Sequence, residues 1–302
     1  MSYLTSSAYP RHIVKSELTV SPIAWGMWRF TESDHDTPRA RVEAALETGV
    51  TLFDTADIYG TDEHGNFGSA EALLGDVIAD APHLRDRMVL ASKGGIWPGT
   101  PYNSSAAYLT AAIDASLKRL RTAHIDLWQI HRPDILTHPA EIAQALEAAH
   151  AAGKIGAIGV SNFTAAQLTA LQAHLKLPII SHQIEFSPLE IKPLHDGTID
   201  QALERDMAIL AWSPLGGGRL GAPTDARALA VAHELDRVAN GFGVSRAAAA
   251  YSWIMAHPAR PIPIVGTQSI TRINEIPDAF KPRWTREDWY AVLQASMGEK
   301  LP

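Results

Sequence analysis

The stretch TLFDTADIYG, residues 51–60, begins as a short apolar strand and then places two acids and a phenol within six residues. The polar side chains are Asp54, Asp57 and Tyr59. Binding and catalytic residues are commonly held at the point where a buried element gives way to a loop. The stretch therefore predicts a strand that ends at a functional site, and it directs attention to the other strand ends of the chain.

Short apolar, β-branched runs alternate along the chain with longer segments of helical period, which is typical of βα units around a parallel sheet. The predicted strands are PIAWGMW (22–28), VTLFDTA (50–56), MVLASK (88–93), IDLWQIH (125–131), AIGVSN (157–162), IISHQIEF (179–186), AILAWSP (208–214) and PIPIVGT (261–267). Helical segments include RARVEAALETG (39–49), SAEALLGDVIAD (69–80), YLTAAIDASLKRLRT (108–122), EIAQALEAAHAAG (141–153) and TAAQLTALQAHL (164–175). Eight βα repeats in about 250 residues predict an α/β fold, a (β/α)8 TIM barrel, rather than an open doubly wound sheet.

The segments that flank the eight repeats predict additions to the barrel. HIVKSELTV (12–20) is predicted to form an N-terminal β-hairpin, and TREDWYAVLQASM (285–297) an appended C-terminal helix. Thr285 is the predicted N-cap of that helix, with acidic residues in its first turn. Because no Pro/Gly/Ser linker or low-complexity stretch interrupts the chain, we predict a single domain over residues 1–302.

Composition narrows the classes of function. With 302 residues and 46% hydrophobic content, the chain can bury a large core. Its net charge of −7 and the absence of a basic run argue against nucleic acid or an acidic membrane surface as a partner, and favour small molecules. The absence of cysteine excludes disulfides, thiolate catalysis and Cys-based metal sites, and we predict no metal site.

Cellular location follows from the same survey. The N-terminal residues contain no apolar signal-peptide core, and no run of about 18 apolar residues occurs. We therefore expect a cytoplasmic protein with no membrane partner. The sequence leaves the oligomeric state open.

Unusual polar and aromatic residues fall at or just after the C-terminal ends of the predicted strands. They are Trp28, Asp54, Tyr59, Lys93, His131, Ser161, Asn162, Gln183, Ser213 and Thr267. In a TIM barrel these strand ends converge on one face, where the catalytic residues of this fold lie. The sequence therefore predicts an active site built from several strands.

An Asp, a Tyr, a Lys and a His at one face suggest a general acid that is polarised by its neighbours. A phenol has a pKa near 10 and donates protons poorly at neutral pH unless a neighbour shifts it. We expect Lys93 to favour the phenolate form of Tyr59, Asp54 to keep the lysine charged, and His131 to orient a carbonyl oxygen. A side chain that protonates a carbonyl oxygen needs a partner that delivers a second group to the carbonyl carbon. A hydride from a nicotinamide meets this requirement.

Seven motifs in register resemble the aldo-keto reductases over nearly the whole chain, most closely the bacterial oxidoreductase-type members. They are DTADIYG, SKGG, IHRPD, GVSNF, HQIEFSP, AWSPLGGGRL and PIPIVGTQSITRINE. The resemblance implies reversible NAD(P)H-dependent reduction of a small-molecule carbonyl substrate, such as an aldehyde or ketone. It also implies a catalytic tetrad of Asp54, Tyr59, Lys93 and His131, with Tyr59 as the proton donor.

The resemblance extends to the cofactor. It implies that Ser161, Asn162 and Gln183 hydrogen-bond the nicotinamide carboxamide and that Trp212 stacks on the ring. Independently, the glycines of SPLGGGRL (213–220) let backbone N–H groups approach a pyrophosphate. The remaining predicted cofactor contacts are Gly26, Met27, Ser213, Pro214, Leu215, Gly217, Gly266, Thr267, Gln268, Arg272 and Glu275.

Preference between the two nicotinamide cofactors is predicted from the end of the chain. Arg272 is placed in the first turn of a predicted helix. A cation is unfavourable there because it opposes the helix dipole, so a nearby anion would explain the arginine. The family uses this segment for the 2′-phosphate, so NADP(H) is predicted over NAD(H). Gly266 stands where many members have lysine, and Ile276 where asparagine is usual.

The substrate pocket is predicted only in outline, because loops rather than the fold determine which carbonyl compound is bound. Trp28 and Trp97 are predicted to line it, and the loop GGIWPGTPYNSS (94–105) to close one side. Asp57 is interpreted as a loop or helix-cap acid.

Two other interpretations remain open. A barrel hydrolase or isomerase could use Asp54 and His131 as acid and base, but it would leave Lys93, the glycine loop and Arg272 unexplained. A non-catalytic nucleotide-binding regulatory or sensor barrel would bind NADPH without oxidising it. Turnover with carbonyl compounds discriminates among the three.

Overall fold

A closed barrel of parallel strands forms the centre of the protein. The computed structural model describes residues 3–32, 36–60 and 67–302. In chain order the strands of this part are β1 (Leu4–Thr5), β2 (Arg11–His12), β3 (Thr19–Val20), β4 (Ala24–Gly26), β5 (Leu52–Asp54), β6 (Val89–Gly94), β7 (Ile96–Trp97), β8 (Thr100–Tyr102), β9 (Ile125–Ile130), β10 (Ile155–Ser161), β11 (Ile179–Glu185), β12 (Ala208–Trp212), β13 (Ile262–Val265) and β14 (Arg283–Trp284).

The barrel strands follow the chain in order. β4, β5, β6, β9, β10, β11, β12 and β13 pair in parallel, and β13 closes the ring on β4. All eight predicted strands are present, which confirms the (β/α)8 TIM barrel. Several are shorter than predicted, because the residues that follow the last paired position already belong to the loops of the site.

Helices cover the outside of the barrel. In the described residues they are α1 (Pro38–Glu47), α2 (Ser69–Asp80), α3 (Ala106–Leu120), α4 (Pro139–Ala151), α5 (Ala165–Gln172), α6 (Thr198–Arg205), α7 (Ala226–Phe242), α8 (Arg246–Met255), α9 (Ile270–Asn274) and α10 (Arg286–Met297). Short 3₁₀ helices lie at Pro82–Arg87, Lys192–Leu194 and Ile276–Phe280. Side-chain caps define several N-termini, including Thr37 on α1 and a reciprocal capping box between Thr164 and Gln167 on α5.

The two flanking additions are also confirmed. The hairpin of β2 and β3 closes the N-terminal end of the barrel, where Ile13 and Val20 join the apolar interior with Leu52 and Ile262. α10 packs against α7 and is capped by Thr285, whose hydroxyl accepts from the Asp288 amide. With one end filled by apolar side chains, the opposite, C-terminal end is the one that carries polar groups.

Candidate active site

A cavity of about 1180 Å³ lies at the C-terminal end of the barrel strands. It exceeds the usual 300–1,000 Å³ of small-molecule pockets, as an extended ligand would require. Most of the residues predicted from the sequence line it. They are Gly26, Trp28, Asp54, Tyr59, His131, Ser161, Asn162, Gln183, Trp212, Ser213, Pro214, Leu215, Gly217, Gly266, Thr267, Gln268, Arg272 and Glu275.

A buried ion pair lies behind the cavity wall. The Nζ of Lys93, in β6, donates to Oδ2 of Asp54, at the end of β5, over 2.7 Å, and to the Thr55 carbonyl over 2.9 Å. Neither side chain is more than 2% exposed. Burial lowers the pKa of Lys93, but Asp54 and Tyr59 together outweigh it, so that the pKa is raised overall and the lysine stays charged.

The phenol of Tyr59 lies over this pair, with the Lys93 ammonium 4.6 Å from the centroid of its ring. Burial is the largest influence and raises the pKa of Tyr59; Lys93 lowers it, but the overall shift is upward. The expected influence of the lysine is therefore present, whereas the expected net shift toward phenolate is not. The hydroxyl is a protonated donor in this environment, which is the state needed to give a proton to oxygen.

His131 follows β9 and lies beside the phenol, with ring centroids 5.7 Å apart. Burial, followed by the charges of Lys93 and Arg132, holds its pKa well below the usual range. The imidazole is thus neutral, and one of its nitrogens carries a proton. Its Nδ1 has no hydrogen-bond partner among the described residues. A neutral ring next to the Tyr59 hydroxyl can donate a second hydrogen bond to the same substrate oxygen.

Two amides stabilise the carboxylate from the other side. Gln183, in β11, donates to Oδ1 of Asp54 over 2.8 Å, and Gln129, in β9, does so over 3.4 Å. One N–H of the Gln183 amide is therefore engaged with Asp54, and its carbonyl oxygen remains to accept from a ligand. Gln129 was not predicted, because its side chain reaches Asp54 only when the barrel closes.

Asn162 has a left-handed backbone, with φ of 59°, at the end of β10. This conformation is uncommon outside glycine, although Asn tolerates it best. Its Nδ2 donates to the Ser161 hydroxyl over 2.8 Å and to the His131 carbonyl over 3.3 Å, and its Oδ1 accepts from the Trp212 indole over 3.0 Å. The strained residue thus connects three of the predicted site residues.

The loop after β12 turns sharply over the cavity. Ser213, Gly216, Gly217 and Gly218 all have positive φ. A side chain at Gly216 would place its Cβ 2.8 Å from Leu189 Cδ1, whereas Gly217 has open space around it and lines the cavity. The glycines therefore permit both the turn and a close approach of backbone N–H groups to a ligand.

Three predicted site residues do not reach the cavity. Met27 is fully buried, and Lys93 lies behind Tyr59. Trp97, in β7, packs instead against Phe67 and Tyr108, with ring centroids 5.2 and 5.9 Å away. Trp97 is therefore not among the residues that line the cavity, which sequence spacing could not reveal.

The structure also gives the surroundings of two charged residues. Asp57 lies in the turn after β5, as expected for a loop acid, but it is buried and accepts from the Tyr108 hydroxyl over 3.2 Å. Burial, reinforced by Glu71, raises the pKa of Asp57 to about 8. Arg272 is the third residue of the five-residue helix α9 and therefore lies in its first turn, as predicted.

Several cavity residues were not predicted. Arg29, Arg41, Arg132 and Tyr251 line it, and the Arg132 guanidinium lies 5.8 Å from the ring of Trp212. Arg132 directly follows His131, so its place after a strand end was a signal in the sequence. Arg41 and Tyr251 lie within helices, and only helix packing brings them to the site.

A closed parallel barrel with an Asp, a Tyr, a Lys and a His gathered at the C-terminal end defines a class of oxidoreductase, and sequence comparison agrees. The aldo/keto reductase family model matches residues 22–296, and the chain belongs to this family. It is 54% identical over 294 residues to a 6-dehydroglucose reductase of Novosphingobium aromaticivorans, covering 97% of both proteins. A 6-dehydroglucose reductase of Agrobacterium fabrum is 33% identical, with 96% of this chain and 99% of the relative covered.

A solved structure supports the same assignment. The glycerol dehydrogenase of Gluconobacter oxydans superposes with a TM-score of 0.84 at 25% identity, over 98% of each chain. Among the helices of the described residues, none has the length and apolar character needed to span a membrane.

Proposed function

We propose that the protein is an NADP(H)-dependent reductase that converts an aldehyde or ketone to an alcohol, with Tyr59 as the proton donor. The observation that carries the proposal is the position of the phenol. It lies at the cavity wall, with the buried Lys93 ammonium 4.6 Å from its ring and the neutral His131 beside it. The protein is expected to act in the cytoplasm on a small-molecule substrate.

Each residue of the proposed tetrad has its own role in proton transfer. Tyr59 gives its proton to the substrate oxygen and becomes a phenolate, which the nearby charge of Lys93 stabilises. Asp54 keeps that charge in place through its 2.7 Å bond to the ammonium. His131 donates to the same oxygen and orients it. When bound, the nicotinamide supplies the hydride that the carbonyl carbon receives.

The cavity walls fit a dinucleotide. Trp212, held by Asn162, offers an aromatic face, and Gln183 retains a carbonyl oxygen for an amide N–H. Gly217 leaves room for a phosphate to approach the backbone. Arg272 lines the far end of the same cavity, and it makes no ion pair with a carboxylate in the described part of the chain. An unpaired guanidinium there favours NADPH, because only NADPH carries an additional phosphate.

The substrate proposed first is 6-dehydroglucose, a sugar aldehyde. The proposal rests on the 54% identity to a reductase of that name over 97% of both chains. The cavity mouth suits a polyhydroxylated molecule, because Trp28 offers a ring that is 59% exposed and Arg29 and Arg132 offer donors to hydroxyl groups. Trp28 packs edge-on against Tyr59, with centroids 5.0 Å apart, so a ring on this face would lie next to the proton donor.

The test is binding followed by turnover. Tryptophan fluorescence is titrated with NADPH and with NADH, and oxidation of NADPH is then followed with 6-dehydroglucose and a panel of simple aldehydes and ketones. We expect tighter binding of NADPH and turnover with at least one carbonyl compound. Binding without turnover would favour the sensor interpretation, and binding of neither nucleotide would return the barrel to the hydrolase or isomerase interpretation.

A further inference from the structure

One end of the cavity is lined by two guanidinium groups from different helices. Arg41 belongs to α1 and Arg272 to α9, and these helices pack against each other. Arg272 was predicted from the sequence, whereas Arg41 has no assigned role. Of the two, only Arg41 is buried.

Arg41 is 1% exposed and is held by neutral acceptors. Its Nη2 donates to the Thr31 carbonyl over 2.6 Å and its Nη1 to Oε1 of Gln268 over 3.4 Å. Its Nε is buried and has no partner in the described residues. The guanidinium carbon also lies 5.0 Å from the centroid of the Phe30 ring. These contacts orient the group but do not neutralise its charge.

Among the described residues, acids balance the charge of Arg41 only from a distance. Burial lowers its pKa, and Asp36 and Glu32 raise it, but neither carboxylate is within ion-pair distance in the described residues. A buried charge is costly unless it is paired and hydrogen-bonded. The arrangement therefore indicates that an anion completes the site.

The surrounding backbone favours an anion as well. α1 begins just after Thr37, on the cavity side of the barrel, and its first turn contains no acidic residue. The partial positive charge of the helix N-terminus adds to that of Arg41 and attracts anions. Gly266, on the cavity wall two residues from Gln268, has open space where a side chain would be. There is room for an anion at this end of the cavity.

We propose that Arg41 is a second cation for a phosphate group of the bound dinucleotide, so that α1 and α9 together hold the anionic part of the cofactor. The inference rests on the proposed function, because a nicotinamide dinucleotide must bind in this cavity. Arg41 contributes charge at the wall, and its bonds to Thr31 and Gln268 link the loop after β4 to the loop after β13.

Removal of the charge tests the proposal. Arg41→Met keeps much of the apolar length, and Arg39→Met is the matched control, because Arg39 lies on the same helix but is exposed and paired with Glu43. Dissociation constants for NADPH and NADH are measured by tryptophan fluorescence. We expect Arg41→Met to weaken NADPH by about 10-fold or more and Arg39→Met to change it by less than about twofold.

The two nucleotides identify the phosphate. Weakening of NADPH alone assigns Arg41 to the 2′-phosphate, and equal weakening of both assigns it to the pyrophosphate. Unchanged affinity for both in a folded Arg41→Met protein overturns the inference. Urea unfolding checks folding; if the Met variant does not fold, Arg41→Gln, which keeps a donor for the Thr31 carbonyl, is judged by the same criterion. A wild-type protein that binds neither nucleotide would instead overturn the proposed function.

Discussion

The ammonium of Lys93 donates to the carboxylate of Asp54 over 2.7 Å, and neither side chain is more than 2% exposed. The two residues come from neighbouring barrel strands, β5 and β6. The pair is oriented further by the Thr55 carbonyl and by the amide of Gln183. The charge of Lys93 is thus fixed next to the Tyr59 phenol. We expect its removal to change both the stability of the protein and the reductase rate.

Asp54→Asn is expected to destabilise the protein by roughly 3–5 kcal/mol, because it leaves the Lys93 ammonium buried without its counter-charge. The variant also lowers the pKa of Lys93, so the reductase rate falls. Urea unfolding and steady-state rates measure the two effects. The control is Asp114→Asn, which breaks the exposed Lys154 to Asp114 pair and is expected to cost less than about 1 kcal/mol. Equal losses in both variants would contradict the special status of the buried pair.

Tyr59→Phe removes the proposed proton donor and retains the ring that packs against Trp28 and His131. The rate of NADPH oxidation with a carbonyl substrate is expected to fall by about 10²–10⁴-fold, the usual contribution of a general acid. NADPH affinity, measured by fluorescence, is expected to stay near the wild-type value. Tyr290→Phe, on the exposed face of α10, is the control. Full activity of the Tyr59 variant would remove this residue from the mechanism.

Arg272→Ala is expected to weaken NADPH by about 10-fold or more and NADH much less, because a guanidinium that contacts the 2′-phosphate has no such partner in NADH. Fluorescence titration with the two nucleotides gives the ratio. Arg283→Ala, in β14 and away from the cavity lining, is expected to change neither affinity. A parallel loss for both nucleotides would move Arg272 to another part of the cofactor.

Asp57 gives the protein a distinctive pH dependence. Its pKa is raised from 3.8 to about 8 in the fold, so the folded protein retains a proton that the unfolded chain loses. The contribution of Asp57 to the free energy of unfolding is therefore fully present below about pH 4 and is lost as the pH rises to about 8. Asp57→Asn removes this titration. The free energy of unfolding of the variant, relative to that of the wild type, should therefore rise by up to ~1.4 kcal/mol per pH unit across that window.

Urea unfolding of both proteins at a series of pH values measures this difference. The other groups that face Asp57 from the packed helices, Glu71, Tyr108 and Arg119, are common to the two proteins. Parallel stability curves for the variant and the wild type would show that Asp57 is ionised in the fold at neutral pH.

The barrel was predictable because its signal is local and repeated. Each strand is an apolar run followed by a polar residue, and the chirality and order of βα units leave little freedom in how the strand ends assemble. Asp54, Tyr59 and His131 were found in this way, and all three line the cavity. Lys93 was predicted as well, although it lies behind the phenol and not in the cavity lining.

Other features depended on contacts between side chains of different segments, which the spacing of residues in the sequence does not predict. The influence of Lys93 on Tyr59 had the expected direction, but burial had the larger effect on the pKa of the phenol. Trp97 was placed at the pocket, whereas the hairpin of β7 and β8 packs it against Tyr108. Asp57 lies in a loop as interpreted, but the sequence did not predict its burial.

The sequence by itself determined the parallel barrel, the face on which the polar strand ends meet and the family to which the chain belongs, because these follow from periodicity and from motifs of neighbouring residues. Only the tertiary structure decided the protonation state of Tyr59, the link from Gln183 to Asp54 and the place of Arg41 beside Gln268. Burial and contact between distant segments set these properties, and both exist only once the barrel has closed and the helices have packed around it.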